Sequence, residues 1–156
     1  MQSREDAPDD GQGRSDESAS PPKPGVESGS VLVVDDEPTI LRLFCMMLEE
    51  SFPNVRIDSA GNGEEALEKF GRERPGVLVM DLHMPVMDGQ RTFLEIERLC
   101  EVRHWSMPAV VFCSAFSPPT AIQKRLRRDS RHCLVFKPIV SRELVDAVKA
   151  RLHTPS

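Results

Sequence analysis

The segment Asp81-Leu82-His83-Met84-Pro85-Val86-Met87-Asp88-Gly89 follows the apolar run Val77 to Met80 and places a carboxylate where a buried strand should end in a loop. Three other short apolar runs end in the same way. The polar residues that close them are the acidic pair Asp35-Asp36, Ser114 and Lys137. In an open parallel α/β sheet the carboxyl ends of the strands lie along one edge, where such folds bind ligands. The sequence therefore predicts one assembled site at that edge.

Short apolar runs alternate with helical periodicity from Val31 onward. The predicted strands are Val31 to Val34, Val55 to Ser59, Val77 to Met80, Ala109 to Ser114 and Cys133 to Phe136. The predicted helices are one that starts at Pro38, then Asn62 to Phe70, Gly89 to Leu99, Pro119 to Arg128 and Arg142 to Leu152. A parallel crossover needs a connection long enough to hold a helix. Five β-α units therefore predict a single α/β domain, a parallel sheet with helices on both faces.

Charge and composition divide the chain near residue 30. Residues 1–30 hold seven acidic and three basic residues among many Pro, Ser and Gly, whereas residues 31–156 hold eighteen acidic and seventeen basic ones. The first segment has too few apolar residues to offset the entropy of ordering a chain, so we expect a disordered acidic leader over 1–30 and a folded domain over 31–153. It lacks the apolar core of a signal peptide, and no apolar run approaches the roughly 18 residues of a membrane span. We expect a soluble, cytoplasmic protein.

The cysteines and histidines show no metal-binding or disulfide pattern. No pair of cysteines has the C-x-x-C spacing, and the four histidines are scattered. Reduced, mostly buried thiols are therefore expected rather than a disulfide framework or a zinc site. The four cysteines are Cys45, Cys100, Cys113 and Cys133.

Three carboxylates at one sheet edge need a cation. Two ionised carboxylates about 4 Å apart repel by roughly 4 kcal/mol at an effective dielectric near 20. Oxygen ligands select a hard ion such as Mg²⁺, which readily takes a phosphate oxygen as a further ligand. One carboxylate can then attack phosphorus as a covalent nucleophile, with Lys137 and the metal stabilising the transferring oxygens. Since Ser114 can hydrogen-bond the attached group, the pattern predicts phosphorylation of an aspartate.

From about Val31 to Leu152 the chain resembles the receiver domain of two-component response regulators. The resemblance implies a doubly wound, flavodoxin-like sheet with strand order 2-1-3-4-5. It makes Asp81 the phosphoacceptor, and it makes the pair Asp35-Asp36 the holders of Mg²⁺ together with Asp81 and the main-chain carbonyl of His83.

The same resemblance gives roles to the two remaining site residues. Ser114 would be the switch hydroxyl and Lys137 the lysine that pairs with the phosphoryl group. The Lys137-Pro138 bond would be the cis peptide of the family, an isomer that is plausible only before proline. One departure from the family pattern is Leu134, which stands where an aromatic residue usually couples to the switch hydroxyl. Phe136 is expected in the core, on the opposite strand face from Leu134.

As a function, the resemblance implies a receiver that accepts a phosphoryl group from a histidine kinase or histidine phosphotransfer protein onto Asp81. Signalling would follow by conformational change and docking. Self-phosphorylation and autodephosphorylation are expected, without turnover of a separate substrate. Because no effector domain follows Leu152, we expect a stand-alone receiver or phosphorelay intermediate, with a module of a longer regulator as the alternative.

A basic surface is the candidate output face. Residues 120–156 contain nine basic and three acidic residues. In the family, the fourth and fifth helices often pair with a second receiver or a target, although a solvated basic helix would look the same. Nucleic acid is not expected, because the body is near neutral and no recognition motif follows. The acidic leader could fold back on this patch through a contact that salt would weaken.

Two enzyme classes of similar fold are the alternatives. Gly61-Asn62-Gly63-Glu64-Glu65-Ala66 fits a dinucleotide-binding fingerprint, with Asp81 at the position of its acidic residue. Two glutamates in the turn that would receive a pyrophosphate argue against it. A phosphohydrolase with Asp81 as nucleophile would have a second aspartate two residues later, where His83 stands.

Overall fold

The computed structural model describes residues 29–152, in which five parallel strands alternate with five helices. The strands are β1 (Ser30–Val34), β2 (Arg56–Ala60), β3 (Val77–Asp81), β4 (Ala109–Ser114) and β5 (Cys133–Phe136). The helices are α1 (Pro38–Ser51), α2 (Gly63–Glu73), α3 (Gly89–Arg103), α4 (Thr120–Arg128) and α5 (Ser141–Leu152). The strand order is β2-β1-β3-β4-β5, with every neighbouring pair parallel. The α/β class and the order implied by the resemblance are confirmed.

The sheet is covered on both faces because its three central strands are apolar except for Ser30 at the start of β1 and for Asp81 and Ser114 at the ends of β3 and β4. All residues of β3 and β4 are buried, and so is β1 apart from its first residue. Alternate side chains of a strand point to opposite faces, so each strand supplies two cores. One core lies under α2, α3 and α4 and the other under α1 and α5. The first includes Leu32, Leu78, Met80, Val110, Phe93 and Phe112, and the second includes Val31, Val33, Val79, Val111, Leu48 and Leu144.

Two helices run further than the apolar pattern predicted. α2 continues past Phe70 to Glu73, and α3 continues past Leu99 to Arg103. Apart from the buried Cys100, the residues of these last turns lie at or near the surface, where hydrophobic periodicity gives little signal. Both end in a left-handed residue, at φ 47° for Arg74 and φ 58° for His104. Such a residue at the helix end lets the next backbone N–H groups satisfy the last free carbonyls.

The predicted leader lies almost wholly outside the described residues. Its last residue, Ser30, instead begins β1 and pairs with Arg56 of β2. His153, the predicted end of the domain, also falls outside the described range. Within residues 29–152, no helix combines the length and the apolarity that crossing a bilayer requires.

The placement of Phe136 was predicted wrongly. Its side chain is 53% exposed rather than in the core, because it closes β5 at the edge of the sheet. A strand has a period of two residues, so Leu134 and Phe136 lie on the same face and not on opposite ones. Leu134 packs against the core under α2, α3 and α4. The four cysteines are free, and Cys100 and Cys113 are buried.

Candidate phosphorylation site

Sheet topology brings the predicted carboxylates together. β1 and β3 are neighbours, with Val34 beside Met80, so Asp35 and Asp81 leave adjacent strands at the same edge. One oxygen from each of Asp35, Asp36 and Asp81 lies within 4.8 Å of the others. Asp35 and Asp81 are buried and Asp36 is exposed. The cluster is therefore open to solvent on one side.

Backbone donors orient the two buried carboxylates. The Glu37 N–H donates to Asp35 Oδ1 at 2.9 Å, and the His83 N–H donates to Asp81 Oδ1 at 3.1 Å. Burial raises the pKa of Asp35, with the charges of Asp81 and Asp36 adding to the effect and the Glu37 bond and Lys137 opposing it. Three carboxylates with a single nearby ammonium leave net negative charge in a partly buried place. That is the donor set and charge that suit a hard divalent cation such as Mg²⁺.

Lys137 follows β5 and reaches back over β4 to the carboxylates. Its backbone N–H donates to Ser114 O at 2.8 Å. Its Nζ lies 3.3 Å from Asp81 Oδ2 and 3.8 Å from Asp35 Oδ2. Burial alone would lower the pKa of Lys137, but the charges of Asp81 and Asp35 outweigh it and the pKa is raised. The Lys137-Pro138 peptide is cis, as the resemblance implied.

Ser114 ends β4, and its fully buried hydroxyl is engaged by its own loop. Ser114 Oγ donates to Phe116 O at 2.7 Å and accepts from the Phe116 N–H at 3.1 Å. It also lies 3.1 Å from His83 Nε2. The His83 ring packs edge-on against Phe116, with ring centroids 5.4 Å apart. Since β3 and β4 are paired, Ser114 and His83 lie at the same edge of the sheet as Asp81.

The ring contact of His83 was not foreseen from the sequence. The sequence shows that His83 stands two residues after Asp81, but the residue that its ring contacts depends on the register of β3 against β4. Asp81 is paired with Cys113, which places Ser114 one step further out, level with the loop that holds His83. The His83 side chain thus links the loop after Asp81 to the Ser114 hydroxyl.

Asp88 and Gly89 position the start of α3 against the end of β3. Asp88 caps α3 by accepting from the Arg91 N–H at 2.8 Å. A Cβ at Gly89 would clash with the main-chain oxygen of Asp81 and the Cα of Leu82. Glycine at this place lets α3 start directly against the end of β3.

Side chains occupy backbone N–H groups of the glycine-rich segment before α2, where a pyrophosphate would have to bind. Asn62 accepts from the Glu65 N–H at 2.8 Å, and Glu65 Oε1 accepts from the Gly61 N–H at 2.8 Å. The arrangement is similar to a capping box, except that Glu65 reaches the N–H of Gly61, one residue before the N-cap Asn62. Side chains of the segment thus satisfy two of its backbone N–H groups. Gly63 is needed because a Cβ there would meet Thr92 and Met87 of the neighbouring loop and helix. Gly63 therefore serves packing between α2 and α3.

A family model described as the response regulator receiver domain matches residues 31–149. Among curated proteins, a protein-glutamate methylesterase/protein-glutamine glutaminase of Hahella chejuensis is 42% identical over 92 residues, which are 59% of this chain and 25% of that protein. The positive alginate biosynthesis regulatory protein of Pseudomonas aeruginosa is 34% identical over 121 residues, 77% of this chain and 46% of that protein. The chain thus spans between a quarter and about half the length of these relatives.

Among solved structures, a chemotaxis protein of Vibrio cholerae has a TM-score of 0.62 with 21% sequence identity. The match covers 78% of this chain and 97% of that chain. At this identity the likeness concerns the fold, which is the parallel five-stranded arrangement described above. The match to the family model covers all the predicted site residues, from Asp35 to Lys137.

Proposed function

The chain belongs to the response regulator receiver domain family, and from this we propose that it is a phosphoacceptor of two-component signalling whose acceptor is Asp81. The observation that carries the assignment is the setting of Asp81, buried at the end of β3 between an ammonium group 3.3 Å away and two further carboxylates. One Oδ of Asp81 attacks phosphorus, the bond from phosphorus to the nitrogen of the donor histidine breaks, and an acyl phosphate results. The dinucleotide-binding and phosphohydrolase alternatives are not favoured.

We assign the remaining roles from the same geometry. Asp35, Asp36, Asp81 and the main-chain carbonyl of His83 are the proposed ligands of Mg²⁺. A bound Mg²⁺ would neutralise charge on the carboxylates and the incoming phosphoryl oxygens. Lys137 pairs with the phosphoryl group from the other side. Its ammonium group lies beside Asp35 and Asp81, and a rotation of the side chain is enough to bring it to the phosphoryl group.

Ser114 is the proposed reporter of phosphorylation. In the unphosphorylated protein its hydroxyl proton is directed to Phe116 O. A phosphoryl oxygen on Asp81 offers a charged and therefore stronger acceptor. Redirecting the hydroxyl releases the Phe116 main chain and the edge contact with His83. Since Leu134 replaces the usual aromatic residue, we place the conformational change in the Ser114–Phe116 loop and α4.

The proposed partners follow from the family. A histidine kinase or a histidine phosphotransfer protein is the phosphoryl donor, and a second receiver or a target protein docks on the face formed by α4, β5 and α5. The domain is regulatory, and we propose no turnover of a separate substrate. The activities that the names of its longer relatives state are not assigned to it. A cytoplasmic location is part of the proposal, and four free cysteines suit a reducing compartment.

The direct test is intact mass after treatment with a small acyl phosphate, with and without Mg²⁺. We expect one phosphoryl adduct that needs Mg²⁺, resists acid and is lost in base. Asp81→Asn should remove the adduct. Asp88→Asn is the matched control in the same loop, because asparagine caps a helix as well as aspartate does, and it should keep the adduct. An adduct on the Asp81→Asn protein would reject the assignment.

A further inference from the structure

A polar cleft of about 360 Å³ opens at the amino-terminal edge of the sheet, opposite the phosphorylation site. Its floor contains Gly76 and Ala109, at the starts of β3 and β4, and its wall contains Trp105. Ser30, the first residue of β1, lies on its rim. A second groove, between α3 and α4, shares Trp105 and Met107 with it. The two form one continuous surface, which we call the amino-edge cleft.

This surface is rich in arginine. Two guanidinium groups lie over the ring of Trp105. The guanidinium carbon of Arg74 is 4.6 Å from the ring centroid, and the guanidinium carbon of Arg103 is 5.6 Å from it. Arg151 donates to the main-chain oxygens of Arg131 and Ala147. Among residues 29–152, none of these three guanidinium groups forms an ion pair with a carboxylate. Arg131 is paired with Asp129 at 3.0 Å.

Two of the three glutamates that line the cleft are held by arginines, and the third, Glu101, is a single exposed carboxylate among several arginines. Glu73 is engaged by Arg56 at 2.9 Å, and Glu97 by Arg125 at 2.8 Å. The cleft therefore presents an aromatic side chain flanked by two unpaired cations, with a third cation in its wall. Multiple weak contacts to separate carboxylates suit such a surface better than one small anion, because the guanidinium groups are spread around Trp105.

We propose that the amino-edge cleft binds the chain's own acidic amino-terminal segment, residues 1–28. That segment contains seven acidic and three basic residues, so its charge is complementary to the cleft. It joins the fold at Gly29, next to Ser30 on the rim. The pair Asp16-Glu17 is about 13 residues from Ser30, and an extended chain of that length spans roughly 40 Å. Covalent attachment also keeps the effective concentration of the acidic segment high.

The contact is electrostatic and lies at the surface, so it should weaken with salt. The Debye length is about 30 Å at 0.01 M and about 3 Å at 1 M ionic strength. Trp105 is the single tryptophan of the chain, and residues 1–28 contain no aromatic residue. Shielding of Trp105 from a neutral quencher therefore reports occupation of the cleft directly. This readout does not depend on phosphorylation, so it separates this inference from the proposed function.

The experiment measures acrylamide quenching of Trp105 in the full chain at 10 mM and 500 mM salt. We expect weaker quenching at low salt than at high salt in the natural sequence. Neutralising the acidic segment should abolish the difference and give the high-salt value throughout. The neutralising substitutions are Glu5→Gln, Asp6→Asn, Asp9→Asn, Asp10→Asn, Asp16→Asn and Glu17→Gln. They change no residue of the described fold, so loss of folding cannot account for the result.

Two arginine variants locate the contact. Arg74→Asp with Arg103→Glu should also abolish the salt-dependent difference, and aspartate suits the left-handed backbone at position 74. Arg127→Glu is the matched control, an exposed arginine of α4 that does not line the amino-edge cleft. It should keep the difference. The inference is overturned if the natural sequence shows no salt-dependent shielding or if the neutralised segment still shields Trp105. It is equally overturned if the shielding grows with protein concentration, which would mean that a second copy supplies the segment.

Discussion

At the residue scale, the balance of charge at the phosphorylation site governs the stability of the metal-free protein. Three carboxylates lie within 4.8 Å of one another and share one lysine. Burial and like charge together raise the pKa of Asp35. The site is therefore suited to a bound cation and a phosphoryl group, and its carboxylates repel one another when neither is bound. Such clusters of charge are typical of functional sites.

Asp81→Asn should make the metal-free protein more stable. At an effective dielectric of 20, two carboxylate pairs at up to 4.8 Å cost about 7 kcal/mol and the Lys137 pair at 3.3 Å returns about 5, so neutralising Asp81 should gain about 2 kcal/mol. Urea unfolding without Mg²⁺ measures this. Adding Mg²⁺ should stabilise the natural protein more than the variant. A variant that is less stable than the natural protein without Mg²⁺ would contradict the charge balance.

Val86 is a strained residue in the loop between Asp81 and α3. Its φ is 70° and its side chain is 89% exposed, so a β-branched residue occupies the left-handed region without any packing to hold it there. Val86→Gly should therefore stabilise the protein by roughly 1 kcal/mol. Val86→Ala keeps the Cβ and should gain much less. Equal unfolding midpoints for valine and glycine would show that the strain has no energetic effect.

At the scale of elements, we expect the connection from β4 to α4 to be the part of the fold that responds to phosphorylation. Ser114 holds Phe116 by two hydrogen bonds, and Lys137 ties the start of the next loop to the same serine. A modification can shift a conformational equilibrium only through contacts that differ between the two states. The Ser114 and Lys137 contacts are those that an acyl phosphate on Asp81 would change.

Lys137→Ala should uncouple phosphorylation from this loop. Transfer to Asp81 should continue at a reduced rate, whereas the change in amide protection over residues 116–128 on adding beryllofluoride should be lost. Hydrogen exchange of the natural and variant proteins measures it. Lys124→Ala, at an exposed lysine of α4, is the control and should keep the change. If Lys137→Ala shows the same change in amide protection as the natural protein, Lys137 does not couple phosphorylation to this loop.

Packing between α2 and α3 depends on one glycine. A Cβ at Gly63 would lie 2.7 Å from Met87 Sδ and closer still to Thr92 Oγ1, so Gly63→Ala should cost about 1–3 kcal/mol through overpacking. Gly61→Ala is a close control, because its Cβ would meet only Glu65 Oε1 at 3.7 Å. Thermal unfolding of both variants distinguishes them. Similar stability of the two would mean that α2 can shift to accept the methyl group.

At the scale of the whole molecule, one buried histidine links stability to pH. His132 is 6% exposed and its Nδ1 accepts from the buried Val110 N–H at 3.1 Å. Its Nε2 lies 3.6 Å from Asp129 Oδ2. Burial lowers the pKa of His132, with Arg131 and Arg151 adding to the effect and Asp129 and Glu97 opposing it. The protein therefore folds around the neutral ring.

Stability should fall on acidification below about pH 6.5, the usual pKa of histidine in an unfolded chain. Between that pH and the lowered pKa of His132, the unfolded chain binds a proton that the folded protein does not, so stability rises with pH there by up to about 1.4 kcal/mol per unit. Urea midpoints across this range measure it. His132→Asn should flatten the slope, whereas His104→Asn, at an exposed histidine, should keep it. If His132→Asn keeps the slope of stability against pH, a group other than His132 causes the pH dependence.

The sequence by itself determined the fold class and the five strands, and it supplied the candidate site residues. Asp35, Asp81, Ser114 and Lys137 each follow an unbroken apolar run, and such a run is a local signal of a strand buried on both faces. Since parallel strands share one carboxyl edge, local patterns alone placed these side chains on the same side of the molecule. The strand order came from the family resemblance, because adjacency in a sheet is not encoded in any local period.

Only the tertiary structure decided contacts that depend on register and on chain ends. The bond between His83 and Ser114 exists because β3 and β4 are paired with Asp81 beside Cys113. Phe136 is exposed because β5 lies at the sheet edge, a fact that its apolar neighbours in sequence conceal. The arginines that contact Trp105 or line its cleft come from the end of α2, from α3, from the connection between α4 and β5 and from α5, which are far apart in the chain. Such contacts join residues of large sequence separation, and their geometry is fixed only when the two cores pack.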